Sequence, residues 1–175
     1  TLIKDERVLR DGIQNGQYHL RSISYIHSDP KTVFAFFSSP LNLGLATPSW
    51  MRFQIQDMPT ETGMGSRITY SIRILGIKIK WVTEIVLWEP TDLFVDVQVK
   101  GPYTLWRHEH RIIRNEYGTT SMEDRVVYRM PFGLLGSIVH KLVVMDQLKR
   151  IFRFRHMVIM LRFPSDAFYE ASGRG

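Results

Sequence analysis

RITYSIRILGIKIKWVTEIVL, Arg67 to Leu87, alternates two kinds of side chain with period two. Ile68, Tyr70, Ile72 and Ile74 fall on one face and Arg67, Thr69, Ser71 and Arg73 on the other, as in a strand with one buried side. Gly76 turns the chain, and Ile77, Ile79, Trp81, Thr83, Ile85 and Leu87 carry the alternation back. Two such runs at hairpin spacing predict antiparallel pairing, because parallel strands need a long crossover.

The same pattern extends outward in both directions. Glu89-Pro90 ends the second run, Leu93, Val95, Val97 and Val99 form the next, and Gly101-Pro102 breaks before a strand from Tyr103 to Ile113. After a turn at Asn115–Gly118, a last strand runs from Thr119 to Met130. Upstream, Met51, Phe53 and Ile55 alternate, behind a helical turn from Leu41 to Ala46 closed by Pro48. Asp29 suits a helix N-cap and Pro30 the first helical position, so a short helix should carry Val33, Phe34 and Phe37 on one face. Before it, Tyr18, Leu20, Ile23, Tyr25 and Ile26 predict a strand with an irregularity in its alternation. The count is seven strands.

Past the breaker-rich loop Pro131–Gly136 the period becomes helical. Ile138, Leu142, Met145, Leu148 and Phe152 recur at three- and four-residue steps, and Val139, Val143, Ile151, Phe154, Val158 and Leu161 widen the stripe. A helix from Ser137 to about Phe163 would be roughly 39 Å long at ~1.5 Å per residue. Lys141, Asp146, Lys149, Arg150, Arg153, Arg155 and Arg162 leave no apolar run long enough to span a membrane. With the basic residues placed outside, the spare face around Val144, Ile151, Phe154, Val158 and Leu161 should meet a partner. Peripheral contact with an anionic membrane and a homodimer are the two expectations.

The chain has 175 residues, 44% of them apolar, which suits one core of ordinary size. Residues 1–16 read as an N-terminal tail or arm, 17–164 as one ligand-binding domain and 165–175 as a C-terminal tail. The opening at Thr1 reads as a processed boundary, and residues 1–16 carry neither a signal-peptide core nor a transit pattern. No cysteine is present, which excludes disulfides, thiolate metal sites and cysteine nucleophiles, and a cytoplasmic location is expected. The net charge of +6 names no partner, and without a reader motif no nucleic-acid binding is expected.

The element order and several turn segments carry a resemblance. Asp29-Pro30-Lys31-Thr32-Val33-Phe34, Gly76-Ile77 with Trp81-Val82-Thr83-Glu84-Ile85, Trp88-Glu89-Pro90, and Gly101-Pro102-Tyr103 with Trp106, His108 and His110 look like a bacterial branch of the START-like (SRPBCC) superfamily. The likeness covers Tyr18 to about Phe163. It implies an α+β helix-grip fold: a seven-stranded curved antiparallel sheet wraps a long C-terminal helix, with two short helices after the first strand, around an apolar cavity. It also implies binding or transport of a hydrophobic small molecule or lipid. The alternative on the same scaffold is a cyclase, dehydratase or isomerase acting on an aromatic or polyketide-like substrate, so enzymatic activity stays open, with binding alone the leading expectation. Thr62-Gly63-Met64-Gly65 lies where pollen-allergen relatives have a glycine-rich loop, and its plain reading is a hairpin turn.

Parity then selects the site. Trp106, His108, His110 and Ile112 share the face expected to look into the cavity, and on the next strand Asp124 and Tyr128 do the same. A hairpin at Asn115–Gly118 brings His108 or His110 across from Asp124, as a polar patch in an apolar lining. That patch reads as a satisfied core pair, as a ligand-positioning group, or as a general base with Asp124 orienting it, so the catalytic candidates are His108, His110 and Asp124. The expected ligand-binding residues are Phe37, Phe53, Tyr70, Ile72, Trp81, Thr83, Trp106, His108, His110, Asp124, Tyr128, Leu142, Met145, Leu148 and Phe152. The His-x-His spacing suggests a metal only with Asp124 or Glu84 as a third ligand. The resemblance includes no obligatory ion, so neither metal nor cofactor is expected.

Overall fold

Leu75 and Gly76 both have positive φ, 51° and 81°, and Ile74 pairs directly with Ile77. Such two-residue turns match the twist of the strands they join, which makes β4 (Arg67–Ile74) and β5 (Ile77–Glu89) a tight hairpin. The computed structural model describes residues 13–133, 136, 139 and 143–164. The other elements are β1 (Ile13–Gln14), β2 (Gln17–Ile26), α1 (Pro30–Phe37), α2 (Pro40–Leu45), β3 (Gln54–Asp57), β6 (Leu93–Lys100), β7 (Leu105–Arg114), β8 (Thr120–Arg129) and the C-terminal helix α3 (Met145–Arg162).

All pairings are antiparallel in the order β1-β2-β8-β7-β6-β5-β4-β3, so β2 closes against β8. Seven strands, β2 to β8, with two short helices and a C-terminal helix make the expected helix-grip α+β fold. The two-residue β1 adds to it from the segment read as a tail. Register shifts at Val82/Thr83 and Ile85/Leu87 leave one extra residue in β6 (Val99) and one in β5 (Val86), and bulges of this kind bend a sheet.

Three local expectations are corrected. β2 has no irregularity: Tyr18, Leu20, Ser22, Ser24 and Ile26 are all buried, while Ile23 and Tyr25 take the other face. Its pairing with β8 runs unbroken from Tyr18↔Tyr128 to Ile26↔Thr120, so the ladder sets the face and the two serines go in with it. Met51 belongs to a 3-10 turn, Ser49–Met51, and β3 begins only at Gln54, after Arg52 at φ 45°. On α1, Phe36 is buried with Val33 and Phe34, against Phe163 at 5.5 Å between ring centroids, and Phe37 is only partly covered. Asp29 caps this helix as expected, accepting from the Thr32 amide at 3.0 Å.

The expected spare face of α3 is mostly used within the chain. Val144 is buried with Met145, Leu148 and Phe152 against β2 and β8, and Ile159 packs on α1. Ile151 packs against the Met51, Ile72 and Trp81 cluster, Val158 against the α1 cluster, and Phe154 meets the Trp50 ring at 6.1 Å. A curved sheet touches a helix on two sides and the α1-to-β3 segment touches a third, so a wide stripe needs no outside partner. Of that set only Leu161 is well exposed. Among the described residues no helix is long and apolar enough to cross a membrane. Leu142, and the helix start expected at Ser137, lie outside the described residues.

Candidate functional site

Between α3, the α1-to-β3 segment and the inner faces of β4 to β7 lies a cavity of about 180 Å³. Phe37, Phe53, Tyr70, Ile72, Trp81, Thr83, Trp106, His108, His110, Leu148 and Phe152 line it where the sequence placed them. Asp124, Tyr128 and Met145 stand behind the wall instead. Tyr128 is fully buried, stacked on Tyr18 at 5.4 Å, and Met145 packs into the same cluster. One wall is a ladder of rings: Phe53 to Tyr70 at 5.1 Å, Tyr70 to Trp81 at 6.1 Å, Trp81 to Trp106 at 5.3 Å. Rings at these separations hold one another in fixed orientations, which keeps the wall from collapsing inward.

The polar end of the cavity follows from register. On β7, period two puts His108 and His110 on the inner face, and pairing sets His110 opposite Asp124 on one side and His108 opposite Asp96 on the other. His108 Nε2 donates to Asp124 Oδ1 at 2.9 Å. His110 Nε2 donates to Asp96 Oδ2 at 3.0 Å, and Thr83 Oγ1 donates to Asp96 Oδ1 at 2.8 Å. His110 Nδ1 lies 3.0 Å from Asp124 Oδ1 without the alignment of a hydrogen bond. The imidazoles lie 3.7 Å apart between centroids, and Phe94 stacks on the outer face of His110 at 4.1 Å.

Two of these groups were not foreseen. In the sequence Asp96 is hidden by the apolar alternation of Leu93, Val95, Val97 and Val99, yet the cavity face of β6 is Phe94 and Asp96, paired with His110 and His108. Arg155 was assigned to the solvated basic face. It is 9% exposed, its Nη1 lies 3.4 Å from Asp124 Oδ1, and its guanidinium sits 5.1 Å from the centre of the Phe37 ring. The signal was available: Leu148, Phe152, Arg155 and Ile159 follow the spacing of one helix face. Its neighbour His156 also turns inward, 3.3 Å from Ser24 Oγ through Nδ1. Glu84, the other suggested metal ligand, pairs with Arg67 away from the cavity.

Burial and charge sort the protons. Burial would raise Asp124, but Arg155, His108 and His110 outweigh it and hold the carboxyl well below its ordinary value. Burial would lower His110, but the adjacent Asp124 and Asp96 carboxylates outweigh it and raise the ring. His108 goes the other way, down to about 4, through burial first and the charge of His110 second, which Asp124 only partly offsets. Burial thus favours the neutral form of His108, while the neighbouring carboxylates favour the charged form of His110. With Nε2–H given to Asp124, neutral His108 has its lone pair on Nδ1, which has no hydrogen-bond partner among the described residues, and the residue lines the cavity. One nitrogen of each ring and one Asp96 oxygen lie within 4.8 Å of one another.

No protein-family model matches the chain, and no curated protein matches it by sequence. Solved structures do. Norcoclaurine synthase from Thalictrum flavum aligns at 9% identity over 86% of this chain and 99% of its own, with a TM-score of 0.63. A Streptomyces aromatase/cyclase aligns at 12% identity over 83% and 93%, TM-score 0.63. A START superfamily protein from Mycobacterium smegmatis aligns at 12% over 82% and 97%, TM-score 0.58. The alignments span nearly the whole of each neighbour, and the chain shares their fold, the START-like helix-grip fold.

Proposed function

We propose that this chain binds, and so stores or transports, a hydrophobic small molecule between the sheet and α3. The observation that carries this reading is the ring-walled void itself, about 180 Å³ in volume. An apolar cavity of ~150 Å³ takes benzene, so the space suits one or two rings, and a two-chain lipid would need the walls to move. Proteins of this architecture whose names denote very different activities share the scaffold, so the fold alone does not choose the ligand. The test is native mass spectrometry of the purified chain and displacement of a fluorescent naphthalene probe, with quenching of Trp81 and Trp106 as the signal. No bound species and no saturable quenching would overturn the reading.

A second reading, a cyclase, dehydratase or isomerase working on an aromatic or polyketide-like substrate, is favoured by one specific observation. His108 faces the cavity and Asp124 holds its far nitrogen at 2.9 Å, the arrangement of an oriented general base. Turnover lost in His108→Gln with probe binding retained supports it. Absence of turnover with a panel of such substrates leaves binding alone.

A further inference from the structure

We propose that Asp96, His108 and His110 form the binding site of a divalent transition-metal ion at the inner end of the cavity. The three donors come from adjacent strands, with Asp96 and His108 directly paired across β6 and β7. Their ligating atoms already lie within 4.8 Å of one another. Bonds of ~2.0–2.1 Å at tetrahedral angles need donors about 3.3 Å apart. His110 Nε2 and Asp96 Oδ2 already stand 3.0 Å apart, close to that spacing.

Asp124 makes this more than three ligand types in proximity. It is fully buried, and its Oδ1 faces the far nitrogen of both rings, His108 Nε2 at 2.9 Å and His110 Nδ1 at 3.0 Å. The Asp124 carboxylate fixes the tautomer of His108 by a hydrogen bond and lies against Nδ1 of His110, which leaves His108 Nδ1 and His110 Nε2 for the other side, much as ligating histidines are supported from behind. His110 Nε2 already reaches Asp96 at 3.0 Å. Among the described residues His108 Nδ1 has no hydrogen-bond partner, although the residue is only 8% exposed and lines the cavity.

Two imidazoles and one carboxylate, in a chain without cysteine, select the class of Zn²⁺, Fe²⁺ and Co²⁺ over calcium and magnesium, which prefer all-oxygen sites. The ion takes the place of the proton held between His110 and Asp96. Its remaining positions face the cavity, as in sites that bind an exchangeable ligand. The proposal does not depend on the cavity holding a hydrophobic ligand. It excludes the general-base reading, since the ion takes the lone pair that His108 would use.

The experiment starts from chain freed of metal with a chelator and titrates Co²⁺ alone, then Zn²⁺ in competition. One ion per chain is expected, with visible Co²⁺ bands of a four- or five-coordinate nitrogen and oxygen site that Zn²⁺ abolishes. Asp96→Asn and His108→Gln should weaken binding at least tenfold and Asp124→Asn by about 10- to 100-fold, while Glu84→Gln binds as wild type. In the unaltered chain, the imidazole NMR signals of His108 and His110 should be the ones that move, a readout independent of how any variant folds. Absence of stoichiometric binding, or perturbation of other histidines with these two unmoved, overturns the proposal. Wild-type affinity in both Asp96→Asn and His108→Gln does the same.

Discussion

Replacing Asp124 by Asn removes a charge from the middle of the molecule while keeping its shape. The carboxylate is 2% exposed and lies within 3.4 Å of Arg155, 2.9 Å of His108 and 3.0 Å of His110. Without it, buried Arg155 keeps its charge with no anion beside it, and His110 loses one of the two carboxylates that raise it. Removing one partner of a buried ion pair costs about 3–5 kcal/mol, because the other is left uncompensated in a poor solvent. For a domain of this size each kcal/mol shifts the midpoint by roughly 2–4 °C, so Tm should fall by about 6–20 °C. Urea unfolding of metal-free chain at pH 7, followed by tryptophan fluorescence and circular dichroism, measures the loss. Arg155→Met keeps the packing on Phe37 and removes the stranded cation. Asp124→Asn/Arg155→Met should therefore be more stable than the sum of the two single losses. A loss under about 1 kcal/mol for Asp124→Asn, or strictly additive losses in the double variant, would refute the view that this network holds the sheet to α3.

At the β4–β5 turn, exposed Leu75 sits at φ 51°, where Asn is far better tolerated, so Leu75→Asn should stabilise the chain by about 0.5–1 kcal/mol in thermal melts. An unchanged or lowered Tm counts against strain there. Glu123 is held below its ordinary value of 4.5 because Arg21 and Arg125 outweigh burial, so its contribution is present above pH 4.5 and is lost as pH falls through the lowered value. Stability measured from pH 6 to 3 should fall more gently in Glu123→Gln than in wild type; parallel curves would remove the claim. Ala46 lines the cavity at 7% exposure, and Ala46→Phe should fill the mouth, weakening the naphthalene probe at least tenfold at a stability cost of about 1–3 kcal/mol. Unchanged affinity in a folded variant would place the ligand elsewhere.

Much of the architecture was legible because it rests on local rules. Period-two alternation, the Asp29-Pro30 start, the Leu75-Gly76 turn and the helical spacing from Met145 onward each depend on a few neighbouring residues, and together they specify strands, short helices and a C-terminal helix in order. Even the inward parity of His108 and His110 follows from the pleat alone. Their facing Asp124 needed one further step, the length of the turn between β7 and β8, which the chain also displays.

What the sequence could not reveal is what depends on packing at a distance. Asp96 joins the site only because β6 pairs with β7 in one register, and the apolar alternation of Leu93, Val95, Val97 and Val99 points to the opposite face. Arg155 looked like one more solvent-facing cation, and it goes inside because the Asp124 carboxylate waits on the far strand to receive it. The stripe on α3 looked too wide for one sheet, and only the curvature of that sheet, with the α1-to-β3 segment folded over the helix, uses it up. Local periodicity thus settled most of the elements and, on β4, β5 and β7, which residues share a face. The tertiary structure alone decided which charges are buried together, because the energy of a buried charge depends on its nearest opposite charge, and that neighbour is far away along the chain.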